Sequence, residues 1–166
     1  MRKSKISISG FKIGTAENRA GLTGVTVILA PDGGATAGVD VRGCAPGTRE
    51  TDLLDPRKTV QKIHAVVLSG GSAFGLEAAS GCVKYLAEQG VGFPIGNVCV
   101  PIVCSAVLFD LMIGDEKAYP DLLMGYEAAK SASSEFLSGC NGAGTGATVG
   151  KLLGFGNAMK SGAGYH

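Results

Sequence analysis

Residues 62–90 read KIHAVVLSGGSAFGLEAASGCVKYLAEQG, and the fold class turns on them. The segment 62–68, KIHAVVL, is apolar and rich in β-branched residues, the pattern of a buried strand. Ser69-Gly70-Gly71-Ser72 follows as a tight turn. Across 73–90 the apolar positions Leu76, Ala79, Val83 and Leu86 recur at helical spacing, and Gly90 is a good helix stop. Strand, glycine turn and helix in succession make the repeating unit of an α/β protein. A turn of this kind aims backbone N–H groups into open space at a helix N-terminus, where developing negative charge is favoured. Any strand–helix turn also accepts glycine, so both readings of the turn stand at this point.

The flanks fit the same class. Residues 4–13 alternate and predict a strand. Residues 24–30, GVTVILA, predict another, and PDGG at 31–34 is a turn signal leading to a returning strand at 35–41 and hence a hairpin. The stretch 42–56 is polar and irregular. Its Arg49, Glu50 and Asp52 predict an ion-pair network, because charged groups leaving water need partners. Residues 100–113 are strongly apolar and predict buried chain. GDEKAYPD at 114–121 reads as a surface loop, and 121–136 as a helix. Residues 145–153 open either a helix or a strand.

A second glycine-rich stretch, GCNGAGTGATVGKL at 139–152, invites a phosphate-binding reading. The spacing rejects it. A P-loop would place a glycine where Thr145 stands and a hydroxyl where Leu152 stands. The dinucleotide fingerprint fits only as Gly142-x-Gly144-x-x-Ala147, and SASSEFLSG before it does not read as the required buried strand. Glycines that permit close packing remain the alternative.

Composition narrows the function classes. A chain of 166 residues suffices for one domain, 1–166, with a sizeable core. With 15 basic and 14 acidic residues there is no basic field for nucleic acid. No apolar run of about 18 residues predicts a membrane span, and MRKSKISIS lacks the apolar stretch of a signal peptide. A cytoplasmic location is expected. Five scattered cysteines, with no C-x-x-C, suggest reduced thiols. With two histidines a His-based metal site is not expected, and neither a metal nor another cofactor is predicted. The chain stops within GFGNAMKSGAGYH. That reads either as a frayed tail or as the end of one half of a longer protein.

Several stretches occur in an order that resembles a known family: GVTVILAPDGGATAGVDVRGCAPGTRETDLLDP, HAVVLSGGSAFGLEAASG, VPIVCSAVLFDL, GAGTGATVGKL and AMKSGAG. Together they resemble the P1 family of peptidases (peptidase family S58). It includes L-aminopeptidase/D-Ala-esterase/amidase enzymes, β-aminopeptidases and 6-aminohexanoate-oligomer hydrolases. The resemblance covers nearly all of residues 10–164. It implies a four-layer α/β/β/α sandwich, Ntn-hydrolase-like and similar to ornithine acetyltransferase, completed by a separate β chain. Such proteins cut themselves into a larger α chain and a smaller β chain whose new N-terminal Ser or Thr is the nucleophile. By that pattern these residues are the α chain and the cut follows His166. Partners implied are the β chain from the same precursor, a small peptide or amide substrate, and further αβ units in a homo-oligomer.

The chemistry is self-consistent. A serine or threonine hydroxyl is a weak nucleophile near neutral pH. A free α-amine on the same residue titrates at about 7.7–8.0 and serves as its base, so no histidine is required. His64, inside a predicted strand, reads as structural.

The resemblance assigns further residues. An Asn just ahead of the GAGTG loop donates to the oxyanion; here it is Asn141, one place later than the family's GNVGAG pattern, with Cys140 in the usual Asn position. Gly70 and Gly71 would supply the second donor or, with Ser69 and Ser72, hold substrate. Relatives carry Tyr in a GGSAYG-like motif, where this chain has Phe74. Phe74 can line a pocket but cannot donate. Lys117 matches a lysine near the active site of the nylon-oligomer hydrolases, against the plainer reading of a solvated loop lysine. Two alternatives to the aminopeptidase or amidase reading are a non-catalytic binding protein of the same fold and an acyltransferase resembling ornithine acetyltransferase.

Overall fold

The computed structural model describes residues 2–5 and 9–164 of the chain. In chain order the strands are β1 (Arg2–Lys5), β2 (Lys12–Asn18), β3 (Thr23–Leu29), β4 (Thr48–Arg49), β5 (Ala65–Ser69), β6 (Phe93–Ile95), β7 (Val98–Val100), β8 (Val103–Val107), β9 (Glu135–Ser138), β10 (Thr148–Val149) and β11 (Met159–Lys160). Two α-helices, α1 (Ala78–Glu88) and α2 (Leu122–Lys130), complete the frame.

Five strands form the main sheet in the order β2-β3-β5-β8-β4. The β5–β8 pair is parallel, joined by a crossover containing α1, and the other neighbours are antiparallel. Alternation along the strands sets the two faces. Val25, Val27, Leu29, Ala65, Val67 and Val103 form one buried core with Ala78, Ala79, Cys82, Leu86, Ala128 and Ala129 of the helices. The helices cross closely because Gly81 and Gly125 each face the other helix's backbone, where a Cβ would strike Leu122 O or Ala78 O.

The opposite face carries Thr15, Thr26, Ile28, Leu68 and Ala106 and lines an open cleft. Leu68 is 39% exposed although it lies on the central strand. Parallel strands ordinarily have both faces covered, so this face stands out.

Strand, glycine turn and helix follow one another as read, but β5 runs Ala65–Ser69 rather than 62–68, and Ser72–Glu77 forms a 3-10 turn before α1 begins. The expected strand 4–13 is two: β1 ends at Lys5 and β2 starts at Lys12, while residues 6–8 lie outside the described residues. The expected hairpin of 24–30 with 35–41 does not form. Both edges of β3 are taken by β2 and β5, and Ala35 makes a single bridge to Ile63 instead. The helix expected over 121–136 starts as read, with Asp121 Oδ1 accepting the Met124 N–H at 2.8 Å, but stops at Lys130. Beyond it Ser133 Oγ captures the Glu135 N–H at 3.2 Å, and β9 begins; serine side chains compete in this way with helix bonds. Among the described residues Arg49 joins no acid: its guanidinium donates to Ser80 Oγ of α1 at 2.7 Å.

A buried carboxylate joins the sheet to its loops. Asp110 accepts the Gly71 N–H at 2.6 Å through Oδ1 and the Thr23 hydroxyl at 2.8 Å through Oδ2. Gly70 and Gly146 press against the same carboxylate, where a Cβ on either would clash.

His64 is structural. It is buried, and its Nδ1 accepts the Ile102 N–H at 3.1 Å. Burial holds its pKa below the usual 6.5, with Lys62 adding to the shift. The cysteines are free thiols, and burial pushes Cys82 up to about 12, which leaves it inert.

Two outcomes follow. The unfolded chain takes up the His64 proton first, so the stability from neutral His64 is complete above about pH 6.5 and declines as the pH falls towards its lower folded value. In His64→Asn, which keeps an acceptor for Ile102, urea denaturation at stepped pH will show a flatter slope as the pH falls below about 6.5. Asp110→Ala strands two buried donors and will lose about 2–4 kcal/mol in the same assay, more than Asp110→Asn loses.

Candidate active site

The loop 139–147 sits across one end of the open sheet face, and hydrogen bonds from three sides fix it there. On the sheet side, Gly142 N–H donates to Glu17 Oε1 at 2.8 Å and Ala143 N–H to Thr26 Oγ1 at 3.1 Å. On the other side Gly139 and Ala163 exchange backbone bonds, both 2.8 Å. From below, the Lys160 ammonium donates to Gly144 O at 2.9 Å, Ala147 O at 3.1 Å and Ser161 O at 2.6 Å. The glycines serve contact rather than phosphate binding: a Cβ on Gly142 would strike Thr26 Oγ1, and one on Gly144 would strike the Ala163 amide.

Asn141 opens the 3-10 turn Gly142–Thr145 and is 1% exposed. Its Oδ1 accepts from Arg19 Nη2 at 3.3 Å, and its Nδ2 donates to Ser138 O at 3.4 Å. A carboxamide nitrogen carries two N–H donors, so the Ser138 bond leaves one for a ligand. Asn141 lines the cleft with Ala143, Gly144, Ala147 and the segment 162–164, opposite the Leu68 and Thr26 face. The space is about 400 Å³ and mostly apolar. A fixed amide donor at the wall of an apolar cleft can stabilise an oxygen on which negative charge develops.

The other expected site residues divide. Ser69 also lines the cleft, although its hydroxyl donates to Gly70 O at 3.0 Å. The amides of Gly70 and Gly71 do not point into open space: they donate to Gly24 O at 2.9 Å and to Asp110, and Ser72 N–H donates to Leu108 O at 3.0 Å. The turn is braced rather than open, with Gly71 and Ser72 both at positive φ, 77° and 51°. Phe74 is 58% exposed and stacks on Tyr119 with centroids 4.7 Å apart; neither ring lines the cleft. Lys117 lies on the exposed loop, where its amide bonds Asp115 at 2.9 Å, and it does not line the cleft. The exposed Cys140 thiol points at Ser161 O, 3.7 Å away. His166 lies outside the described residues.

Glu17, Arg19, Thr26 and Lys160 were not foreseen as site residues. Arg19 follows in the turn just past β2, and alternation along β2 puts Ile13, Thr15 and Glu17 on one face, a signal available in the sequence. The partner Asn141, 122 positions away, was not. Among the described residues no cluster of three or more His, Cys, Asp or Glu is placed to hold a metal ion, and no helix is long and apolar enough to cross a membrane.

The chain is 47% identical over 131 residues to an uncharacterized aminopeptidase of Mycobacterium tuberculosis, covering 79% of this chain and 38% of that protein. It is 35% identical over 149 residues to the 6-aminohexanoate-oligomer endohydrolase of Kocuria sp., covering 89% of this chain and 39% of the enzyme. The chain thus spans about two fifths of the length of these relatives. Among solved structures it superposes on the L-aminopeptidase D-Ala-esterase/amidase of Ochrobactrum anthropi, a variant of the Ntn hydrolase fold. There the TM-score is 0.64 at 18% identity, over 84% of this chain and 42% of that one. A Burkholderia β-aminopeptidase gives 0.63 at 19%, over 84% and 41%. The fold is therefore the α/β fold of Ntn-hydrolase-like aminopeptidases. The model of peptidase family S58 matches residues 6–161, and the chain belongs to that family.

Proposed function

We propose that this chain is the α portion of a self-processing N-terminal-nucleophile hydrolase, an aminopeptidase or amidase acting on small peptides, amino-acid amides or esters. The observation that carries the reading is Asn141: a buried carboxamide on the wall of an apolar cleft, with its oxygen tied back to Arg19 and one N–H left to donate. Two further observations support it. The sheet leaves an apolar face uncovered at its central strand. The matched portion makes up only about two fifths of the relatives' length, and their names include a 6-aminohexanoate-oligomer endohydrolase and an aminopeptidase.

In this reading the β chain from the same precursor lays a second sheet on the open face, which completes the α/β/β/α layers. The residue after His166, Ser or Thr, becomes its N-terminus. The α-amine of that residue takes the hydroxyl proton, and the oxygen attacks the substrate carbonyl. The carbonyl oxygen gains a negative charge and accepts the free Asn141 N–H. Collapse, with the α-ammonium passing its proton to the leaving nitrogen, expels the amine product and leaves an ester on the nucleophile, which water hydrolyses. Ser69 contributes to the cleft wall, while Gly70, Gly71 and Ser72 act through the brace on Asp110, Gly24 and Leu108. Lys117 receives no step. The αβ unit assembles into a cytoplasmic homo-oligomer.

Denatured intact mass of the full-length protein, with N-terminal sequencing of each chain, tests the processing. Two chains are expected, the smaller beginning with Ser or Thr directly after His166; a single uncut chain contradicts the reading. Among aminoacyl p-nitroanilides turned over by the processed protein, Asn141→Ala will lower kcat about 100–1,000-fold with KM changed only a few-fold. Unchanged kcat would remove Asn141 from the oxyanion site.

A further inference from the structure

We propose that Arg19, with Glu17 behind it, is a positioning residue that holds the Asn141 carboxamide in its donating orientation. This rests on the reading of Asn141 as the oxyanion donor.

The placement follows from the sheet. Ile13 and Thr15 of β2 line the cleft, Glu17 continues that row, and Arg19 stands in the turn just past the strand, beside the loop. Glu17 is largely buried, with 17% of its side chain exposed, and its two oxygens do different work. Oε1 accepts the Gly142 N–H at 2.8 Å, and Oε2 lies 3.9 Å from Arg19 Nη2. The same Arg19 nitrogen reaches Asn141 Oδ1 at 3.3 Å. One carboxylate and one guanidinium therefore grip two consecutive residues of the loop.

The grip matters because a carboxamide has two faces. Rotated by half a turn, Asn141 would present its oxygen where it now presents nitrogen. An oxygen there would repel a developing oxyanion rather than stabilise it. Arg19 is a donor only, so it bonds the amide oxygen and not the amide nitrogen, and this selects one orientation. A cation on Oδ1 also draws electron density from the nitrogen and strengthens its remaining N–H as a donor. The ion pair between Arg19 and Glu17 by itself adds little to folding. Arg19 is 61% exposed, and exposed pairs at such distances contribute little to folding.

A double-mutant cycle in the processed full-length protein tests this, with an aminoacyl p-nitroanilide as probe. The single changes are Arg19→Met and Asn141→Ala, and kcat and KM are read separately. Arg19→Met is expected to lower kcat about tenfold or more, with KM within a few-fold. In the Asn141→Ala background the same change is expected to have almost no further effect, since the group it orients is gone. Arg19→Lys, a point charge without the planar fork, should fall between.

Equal losses from Arg19→Met in both backgrounds would overturn the proposal and leave Asn141 as donor. So would a loss confined to KM. Should Arg19→Met fail to fold, Arg19→Lys is carried through the same cycle with the same criteria. An Asn141→Ala variant with full kcat, or a parent with no turnover, would overturn the oxyanion reading and this proposal with it.

Discussion

The carboxylate of Asp110 is where the separate parts of this chain meet. A carboxylate taken out of water must be given hydrogen bonds or its burial is prohibitive. Here they come from the Thr23 hydroxyl on β3 and the Gly71 amide in the turn after β5. Gly70 and Gly146 then close over it because neither has a side chain to obstruct the approach. The first glycine-rich stretch and the end of the second are thereby fixed to one point. That explains why Gly70 and Gly71 do not offer free N–H groups. The turn is a strut, and the open donor lies instead on the loop that the strut helps to place.

The second organising fact is the asymmetry of the sheet. One face carries the helices, brought close by Gly81 and Gly125. The other is apolar, open at Leu68, and bounded by the loop 139–147. The loop takes its position from three directions: Glu17 and Thr26 on the sheet, Ala163 from the end of the chain, and the Lys160 ammonium. Asn141 is held at the junction, so its remaining N–H has a defined position relative to the cleft. In the proposed reading the donor is preorganised and needs no reorientation when charge develops.

Sequence reading succeeded where the information was local. The segment 62–90 gave strand, turn and helix because alternation, glycine placement and helical spacing each act within a few residues. It failed where the answer lay in distant pairing. The 35–41 segment was expected to return on β3, but β2 and β5 already occupy both edges of that strand. The helix from 121 was drawn too long because Ala128 and Ala129 favour helix, while the serines from Ser131 on offer the backbone other partners. Asn141 is singled out as a candidate through its motif. Glu17 and Arg19 are not, because nothing in β2 announces a partner more than a hundred residues away.

The central claim is that Asn141 donates to the oxyanion while Arg19 holds its oxygen. A crystal structure of the processed full-length protein, with its nucleophile captured by a boronic acid, tests this most directly. The account predicts a boronate oxygen about 2.7–3.1 Å from Asn141 Nδ2, with Arg19 still on Oδ1. A boronate oxygen bound elsewhere, with the Asn141 amide rotated or turned away from the cleft, would contradict it.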